Sequence, residues 1–587
     1  MDNPWPAPGG SRRRLSLDFF RARLASVDAL PQLVLLAVVA GALTAMVSLA
    51  FRGAIEQIAL RILPGGSSEN FEGLPFDWRF GLPVVGAVLI GLALTFLRPA
   101  DRRVGVTHVM ERLGRHQGHM RLRNALTQFF GGIVALTTGA SGGREGPAIH
   151  LGASTSSLLG QVFQLPNNSI RTLVGCGTAA AVACSFNTPI AGVILAVEVV
   201  LMEYTIASFI PVIVAAVTAT LIMRFFYGSA PAFAVPPLAI ESVFEIPYIL
   251  LVGLACGLVA VAFIRCVGFF ASLSKIPIGL RCALAGVITG LAGLVVPEVM
   301  GIGYDTVTAA LSGDVALRTL VLLLIFKIVA TSACVGLGLP VGLIGPSLLV
   351  GAVLGGLLGH GAAFVAPAFA SSAGLYVMLG MCALMAAMLQ APLAALLAVL
   401  ELTANPNVVL PAMLVIVVAT MTASQLFHER SVFTAMLLRL GLTYEVNPAT
   451  QHLQRAGVTS LMSRDFARLD EVADVEEVSA ALASKPRWIV VESARGRLRC
   501  ILNAADLRRF MGEAAEPRIG SIELLQVPGL RHDVTSIDFQ ATVHEALEKL
   551  KRTGAEALCV RRTTAPMIAP IVGVLTRGEV EDFARFE

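Results

Sequence analysis

Gly139-Ala-Ser-Gly-Gly-Arg-Glu-Gly-Pro-Ala-Ile-His-Leu-Gly-Ala153 sets Arg144 and Glu145 among glycines, in a chain that is otherwise 55% hydrophobic and only 14% charged. Soluble chains average about 25% charged residues, so this composition belongs to a membrane protein. Ionisable side chains at membrane depth are costly and mark pathways or sites. Gly143 and Gly146 bare their N–H groups at a helix start, and Pro147 suits the first helical turn, where a missing N–H costs nothing. The stretch reads as an anion site with the carboxylate of Glu145 beside it.

Apolar runs near 31–51, 81–98, 206–223, 248–264, 279–297, 317–335 and 408–422 approach the ~20 residues that a spanning helix needs. Runs around 124–138, 147–163, 172–202, 341–366 and 375–402 are broken by Gly, Pro or a carboxylate. Broken helices are tolerated only inside protein, lining a polar cavity. Arg12, Arg13, Arg14, Arg21 and Arg23 precede the first span, which predicts a cytoplasmic N-terminus. That span starts too far in for a cleaved signal peptide. Asp101 to Asn124 holds six arginines against two acids and reads as a solvated loop on the same side, with His108, His116 and His119 as ordinary solvated residues. Twenty of the 40 acidic residues fall after Gln454, so the last part of the chain reads as soluble. The expected division is a cytoplasmic segment 1–30, a transmembrane domain 31–440, a linker 441–454 and a soluble pair of small domains 455–587.

An internal repeat orders the transmembrane part. Laid 199 residues apart, Gly139, Gly143, Gly146, Pro147, Gly152 and Ala153 match Gly338, Gly342, Gly345, Pro346, Gly351 and Ala352. A second block follows at an offset of 203, where Pro189, Ala191 and Glu198 match Pro392, Ala394 and Glu401. The repeats run over about 31–240 and 245–440. Gly/Pro-broken segments at equivalent places in two halves point to a midplane site built from helix N-termini. Each such terminus carries roughly half a positive elementary charge and unpaired N–H donors. Two of them converging hold a small inorganic anion without a full cationic side chain. Glu198 and Glu401 read as buried structural carboxylates that accept helix N–H groups.

With these motifs in this order, the chain resembles the CLC family of chloride channels and chloride/proton exchangers, of the bacterial kind with a C-terminal pair of CBS domains. Gly143-Arg144-Glu145-Gly146-Pro147 matches the family's pore-helix signature. Gly342-Leu343-Ile344-Gly345-Pro346 resembles its Gly-x-Phe-x-Pro, with Ile344 for Phe, and Phe186-Asn187-Thr188-Pro189-Ile190-Ala191-Gly192 resembles its Phe-Asn-Ala-Pro-Leu-Ala-Gly. The resemblance covers roughly 30–440. It implies an α-helical multi-pass protein with inverted repeats, a homodimer with one anion pathway per subunit, and a place in the bacterial inner membrane with both termini cytoplasmic. It further implies that Glu145 is the gating glutamate, and that Leu343 and Ile344 present backbone N–H groups to the ion.

Three departures carry the functional expectation. The family's Gly-Ser-Gly-Ile-Pro falls on Arg103-Val104-Gly105-Val106-Thr107, so Val104 stands where the serine hydroxyl would be, beside Gly105. The family's central tyrosine falls on Phe433. Both hydroxyl donors are replaced, which leaves backbone donors and an apolar inner constriction. The internal glutamate of the exchangers falls on Val199, directly after Glu198, and valine cannot relay a proton. Glu203 is the nearby carboxylate that would substitute. The expectation is passive, gated chloride conduction, with chloride/proton exchange through a relocated or water-mediated path as the alternative.

In the tail, a helix over 476–484 precedes Trp488-Ile489-Val490-Val491, Leu498 to Leu502 and a helix from Ala504. A second unit repeats this with a helix over 541–552, Ala557 to Val560, Ile571 to Leu575 and a helix from Arg577. Alternating strands and helices with short loops suggest small α/β units, and their order resembles a CBS pair. Against that family's nucleotide-binding string, Gly573, Thr576 and Glu579 are kept in the second unit, with Glu for Asp, and Asp506 alone in the first. Adenine nucleotide is therefore the candidate ligand of the pair, with a purely structural dimer module as the other reading. Nine scattered cysteines show no metal spacing. No His-Glu-x-x-His occurs, which excludes a zinc protease of that type. A CBS-regulated cation transporter would want acidic clusters in its spans. The chain is read as a transporter with inorganic anions and lipid as partners, neither an enzyme nor a nucleic-acid binder.

Overall fold

The computed structural model describes Leu24 and residues 29–203, 206–230, 233, 235, 239–367, 369–442, 448–493, 496–512, 520–562 and 570–585. Arg12, Arg13, Arg14, Arg21 and Arg23 lie outside them. The chain divides into two compact units, Val34–Val162 with Ile170–Glu445, and Met1–Leu33 with Phe163–Ser169 and Val446–Glu587.

The first unit is helical. Its elements are α1 Leu30–Ile62, α2 Phe76–Phe96, α3 Gly105–His116, α4 Leu122–Thr137, α5 Glu145–Val162, α6 Asn167–Phe186, α7 Pro189–Leu195, α8 Ile206–Tyr227 and α9 Ile246–Ser272. Then come α10 Ile278–Val295, α11 Tyr304–Ser312, α12 Leu317–Leu337, α13 Ile344–Val365, α14 Ala373–Leu389, α15 Pro392–Thr403, α16 Val409–Met421 and α17 Val432–Arg439. Nine helices among the described residues are long and apolar enough to cross a membrane. Large apolar side chains such as Leu35, Leu92, Leu221 and Leu410 are exposed along them, as a bilayer solvent permits.

The repeat seen in the sequence is a repeat in space. The apolar run 172–202 is not one helix. It breaks at Asn187, whose φ of 59° is left-handed, before Pro189 starts α7. The run 375–402 breaks in the same way 203 residues later, at Gln390 with φ 53°, before Pro392 starts α15. In each half the helix of the glycine signature packs on the helix after it through facing glycines. A Cβ on Gly152 would lie 2.3 Å from the Gly177 carbonyl oxygen, and one on Gly351 would lie 2.4 Å from that of Gly380. Only glycine permits such backbone contact, which is how helices pack where lipid gives no hydrophobic drive.

The second unit is α/β at its C-terminal part. A six-stranded sheet has the order β1 Phe466–Asp470, β3 Trp488–Glu492, β4 Leu498–Asn503, β6 Arg531–Asp538, β7 Ala557–Arg561, β8 Ile571–Thr576, while β2 Val472–Asp474 pairs antiparallel with β5 Ser521–Glu523. Each half has the same plan. In one, β1 runs parallel to β3, which is antiparallel to β4. In the other, β6 runs parallel to β7, which is antiparallel to β8. Each half has its own core, one around Val478, Ile489 and Leu507, the other around Val543, Leu558 and Val580. Trp488, Val490, Ile501, Ala557, Cys559 and Val574 form a third cluster that joins the halves. The helices of the sequence reading are present as Val475–Ala483, Ala504–Gly512, Val543–Thr553 and Arg577–Arg585.

Candidate anion pathway and gate

The starts of α5 and α13 meet at their glycines. Gly143 N–H donates to the Gly342 carbonyl and Gly342 N–H donates to the Gly143 carbonyl, both at 2.8 Å, a two-residue antiparallel bridge between the repeats. Of the two N–H groups that the sequence reading bared at this helix start, those of Gly143 and Gly146, the first is taken up by this bridge, which holds the repeats together. The donors of this region are then those of the first turns themselves, whose leading N–H groups have no intrahelical partner. Pro147 and Pro346 sit in those turns, and Leu343 and Ile344 are buried at the second one.

Glu145 is fully buried at the start of α5. Its carboxylate crosses to the other repeat, where Oε2 accepts the Gly345 N–H at 3.1 Å. Oε1 accepts the hydroxyl of Tyr304, the first residue of α11. Two glycines leave the space it fills: a Cβ on Gly143 would stand 2.3 Å from Oε2, and one on Gly345 2.8 Å. Arg144 lies alongside, its Nε 4.0 Å from Glu145 Oε1, its Nη1 3.9 Å from Glu56, and its guanidinium 5.2 Å from the centre of the Tyr304 ring. A carboxylate thus occupies the N-terminal turn of a helix from the opposite repeat, where the unpaired N–H groups and the helix dipole favour negative charge.

Four acids, Glu69, Glu72, Glu298 and Asp305, gather near this place. Glu69 Oε2 accepts the N–H groups of Tyr304 (2.9 Å) and Asp305 (3.2 Å) and so starts α11. In the loop before α2, burial together with the charges of Asp305 and Glu298 pushes Glu72 up to about 7.

At the second constriction expected from the sequence, Val104 precedes α3 and Gly105 takes φ 81°, which favours glycine. The Gly105 N–H donates to Gln128 Oε1 at 2.9 Å, while Gln128 Nε2 donates to the Pro340 carbonyl at 2.9 Å. Gln128, on α4, thus ties the α3 start to the chain entering the second signature. Phe433 is buried on α17, which packs on α3 where Thr107 meets Met436. Val199 is buried in the π-helical turn Ala196–Leu201 after α7, and Glu203 accepts a 3.5 Å bond from Ser208.

His108 corrects the reading of 101–124 as a solvated loop. The segment contains α3, and His108 on its buried face lies 2.9 Å, Nδ1 to Nε2, from His150 on α5. His150 is fully buried, and its Nδ1 has no hydrogen-bond partner in the structure.

In the tail, the four candidate nucleotide residues have internal partners. Glu579 accepts both the N–H and the hydroxyl of Thr576 at 2.9 Å, a capping pair at the start of the last helix. A Cβ on Gly573 would meet Met462 at 2.4 Å, and Asp506 Oδ2 accepts the Leu530 N–H at 3.3 Å.

The sequence signature of the family described as Voltage gated chloride channel matches residues 86–424. A ClcB-like chloride channel protein of Ralstonia nicotianae is 35% identical over 393 residues, 65% of this chain and 91% of that one. The H(+)/Cl(-) exchange transporter ClcA of Salmonella arizonae is 29% identical over 429 residues, 71% of this chain and 90% of that one. Among solved structures, a eukaryotic CLC transporter shares the fold with a TM-score of 0.57 at 18% identity, over 96% of this chain and 98% of that one.

Proposed function

The chain belongs to the voltage-gated chloride channel family and is a multi-pass membrane protein of chloride transport, and from that premise we propose that Glu145 is its gate and that it conducts chloride without stoichiometric proton countertransport. The observation that carries the gate is the Glu145 carboxylate on the Gly345 N–H of the opposite repeat. An ionised side chain there competes with a permeating anion, and protonation ends the competition. Low pH on the Glu145 side therefore raises anion flux, and Glu145→Gln flattens that response. A full pH response in Glu145→Gln places the gate elsewhere.

Passive conduction is supported by Val199, buried and without a proton-exchanging group. The second reading, chloride/proton exchange, agrees with the printed name of the Salmonella relative, and the buried contact between His108 and His150 joins two titratable rings across α3 and α5. Simultaneous chloride and pH recording from proteoliposomes separates them. Proton uptake driven by a chloride gradient, lost in His150→Gln with chloride flux retained, establishes exchange through the histidines. Uptake lost in Glu203→Gln instead establishes the carboxylate as the relay.

The proposal includes assembly as a homodimer with one pathway per chain, both termini in the cytoplasm, and the tail as a CBS-type pair. Its capped, packed residues at 573, 576 and 579 support a structural module over a nucleotide site. Adenine nucleotide titrated against the purified protein, with no heat or thermal shift, is the expected result.

A further inference from the structure

We propose that Tyr304 is the latch of the gate, a positioning residue whose hydroxyl holds the ionised Glu145 carboxylate closed and so sets the pH at which it lets go. The inference rests on the reading of Glu145 as gate. Tyr304 is buried and its hydroxyl donates to Glu145 Oε1, opposite the Gly345 N–H that holds Oε2. The ring is held from several sides. Gly301 and Gly303, at φ 60° and 84°, turn the chain into α11, and Glu69 caps the Tyr304 and Asp305 N–H groups. Phe233 meets the ring edge-on at 5.0 Å, and Phe186 lies at 6.2 Å.

The charged groups around the carboxylate are Arg144, Glu56 behind it, Glu69 and Asp305 at the α11 start, and Lys327 of α12, whose Nζ donates to the Val299 and Gly301 carbonyls. Removing any of these changes the net charge. Removing the Tyr304 hydroxyl leaves charge and ring packing in place and takes away one donor. A hydroxyl donates more strongly to a carboxylate than to a neutral carboxyl, so the contact favours the ionised, closed gate. The proton that opens it comes from water and stays on Glu145; Tyr304 keeps its own and loses only a strong acceptor.

The test is chloride efflux from proteoliposomes as a function of pH on the Glu145 side, for wild type, Tyr304→Phe, Glu145→Gln and the double variant. Tyr304→Phe is expected to raise flux near neutral pH and move the half-activation point up by about one pH unit, a tenfold change in proton affinity. The double variant is expected to match Glu145→Gln. An unchanged half-activation point in Tyr304→Phe, with a flat response in Glu145→Gln, overturns the latch and leaves the gate standing. A pH response that survives Glu145→Gln overturns both. Should Tyr304→Phe not assemble, Phe233→Leu, which loosens the Tyr304 ring without changing any charge, serves instead; its half-activation point must move up as well, and an unmoved one overturns the latch.

Discussion

Glu198 and Glu401 cap each other's helices across the repeat: Glu401 accepts the N–H groups of Ile190 (3.0 Å) and Ala191 (2.8 Å) at the start of α7, and Glu198 accepts those of Leu393 (3.3 Å) and Ala394 (2.8 Å) at the start of α15. Each proline-started helix thus takes its N-terminal acceptor from the other half of the membrane unit. The arrangement gives both carboxylates the structural role that the repeat alignment implied, each accepting the N–H groups of a helix start.

Glu198→Ala and Glu401→Ala should each destabilise the protein, since a hydrogen bond to a charged group contributes about 1.5–3 kcal/mol. Thermal unfolding of the purified protein in detergent should show lower midpoints for both, while the pH dependence of the surviving chloride flux stays that of wild type. A moved pH profile in Glu198→Ala would return that residue to the transport chemistry.

Gly143→Ala should force the gate. Its Cβ would stand 2.3 Å from Glu145 Oε2, well inside van der Waals contact, so the carboxylate must leave its place on Gly345. Chloride flux at neutral pH should rise toward that of Glu145→Ala. In a Glu145→Ala background the alanine at 143 should change flux less, because its nearest contact has been removed and those left, the Gly345 nitrogen and Pro346 Cδ, stand at 3.0 Å. Equal effects in both backgrounds would point to damage of the bridge to Gly342 instead.

Gln128→Ala should free the Gly105 N–H and leave the Pro340 carbonyl without its donor. An N–H restored to the inner constriction gives an anion one more partner, worth about 1 kcal/mol. Titration calorimetry should show chloride binding several-fold tighter than in wild type, at some cost in thermal stability. Weaker binding in the variant would mean that the glutamine amide itself faces the ion.

Glu72 supplies a second pH dependence. Burial and two neighbouring acids hold it up to about 7, so it is neutral below that pH and ionises as pH rises through it. The added negative charge beside Asp305, Glu298 and Glu69 opposes anion entry. In Glu72→Gln, flux should therefore match wild type at pH 5 and exceed it at pH 8, with the excess shrinking as salt is raised. An excess at pH 5 as well would assign the effect to packing.

The halves of the membrane unit were legible because glycine and proline mark backbone geometry directly: matching signs at matching offsets gave matching breaks at Asn187 and Gln390. The inner strands of the tail were legible as short continuous apolar runs, and its helices as the amphipathic, charged stretches between them. Strands β1, β2, β5 and β6 were not. Arg531–Asp538 is largely polar and only partly buried, because it takes its place by pairing between β4 and β7 more than by filling a core. The side chains that lean on the pathway escaped as well. Gln128, Tyr304 and His150 find their partners 23, 159 and 42 residues away, and nothing in a local pattern announces a polar contact at that distance. His108 was misread because a basic stretch hides one buried helical face.

The bridge between Gly143 and Gly342 joins the repeats through main chain alone. No substitution can retune a bond that contains no side chain; it can only be kept or broken, and breaking it unmakes the fold. What can be tuned by substitution are the side chains nearby, Gln128 on Gly105 and Pro340, and Tyr304 on Glu145, where one atom can be exchanged for another while the clasp stays closed. Such a division puts adjustable chemistry in side chains and leaves the join between the halves to the main chain.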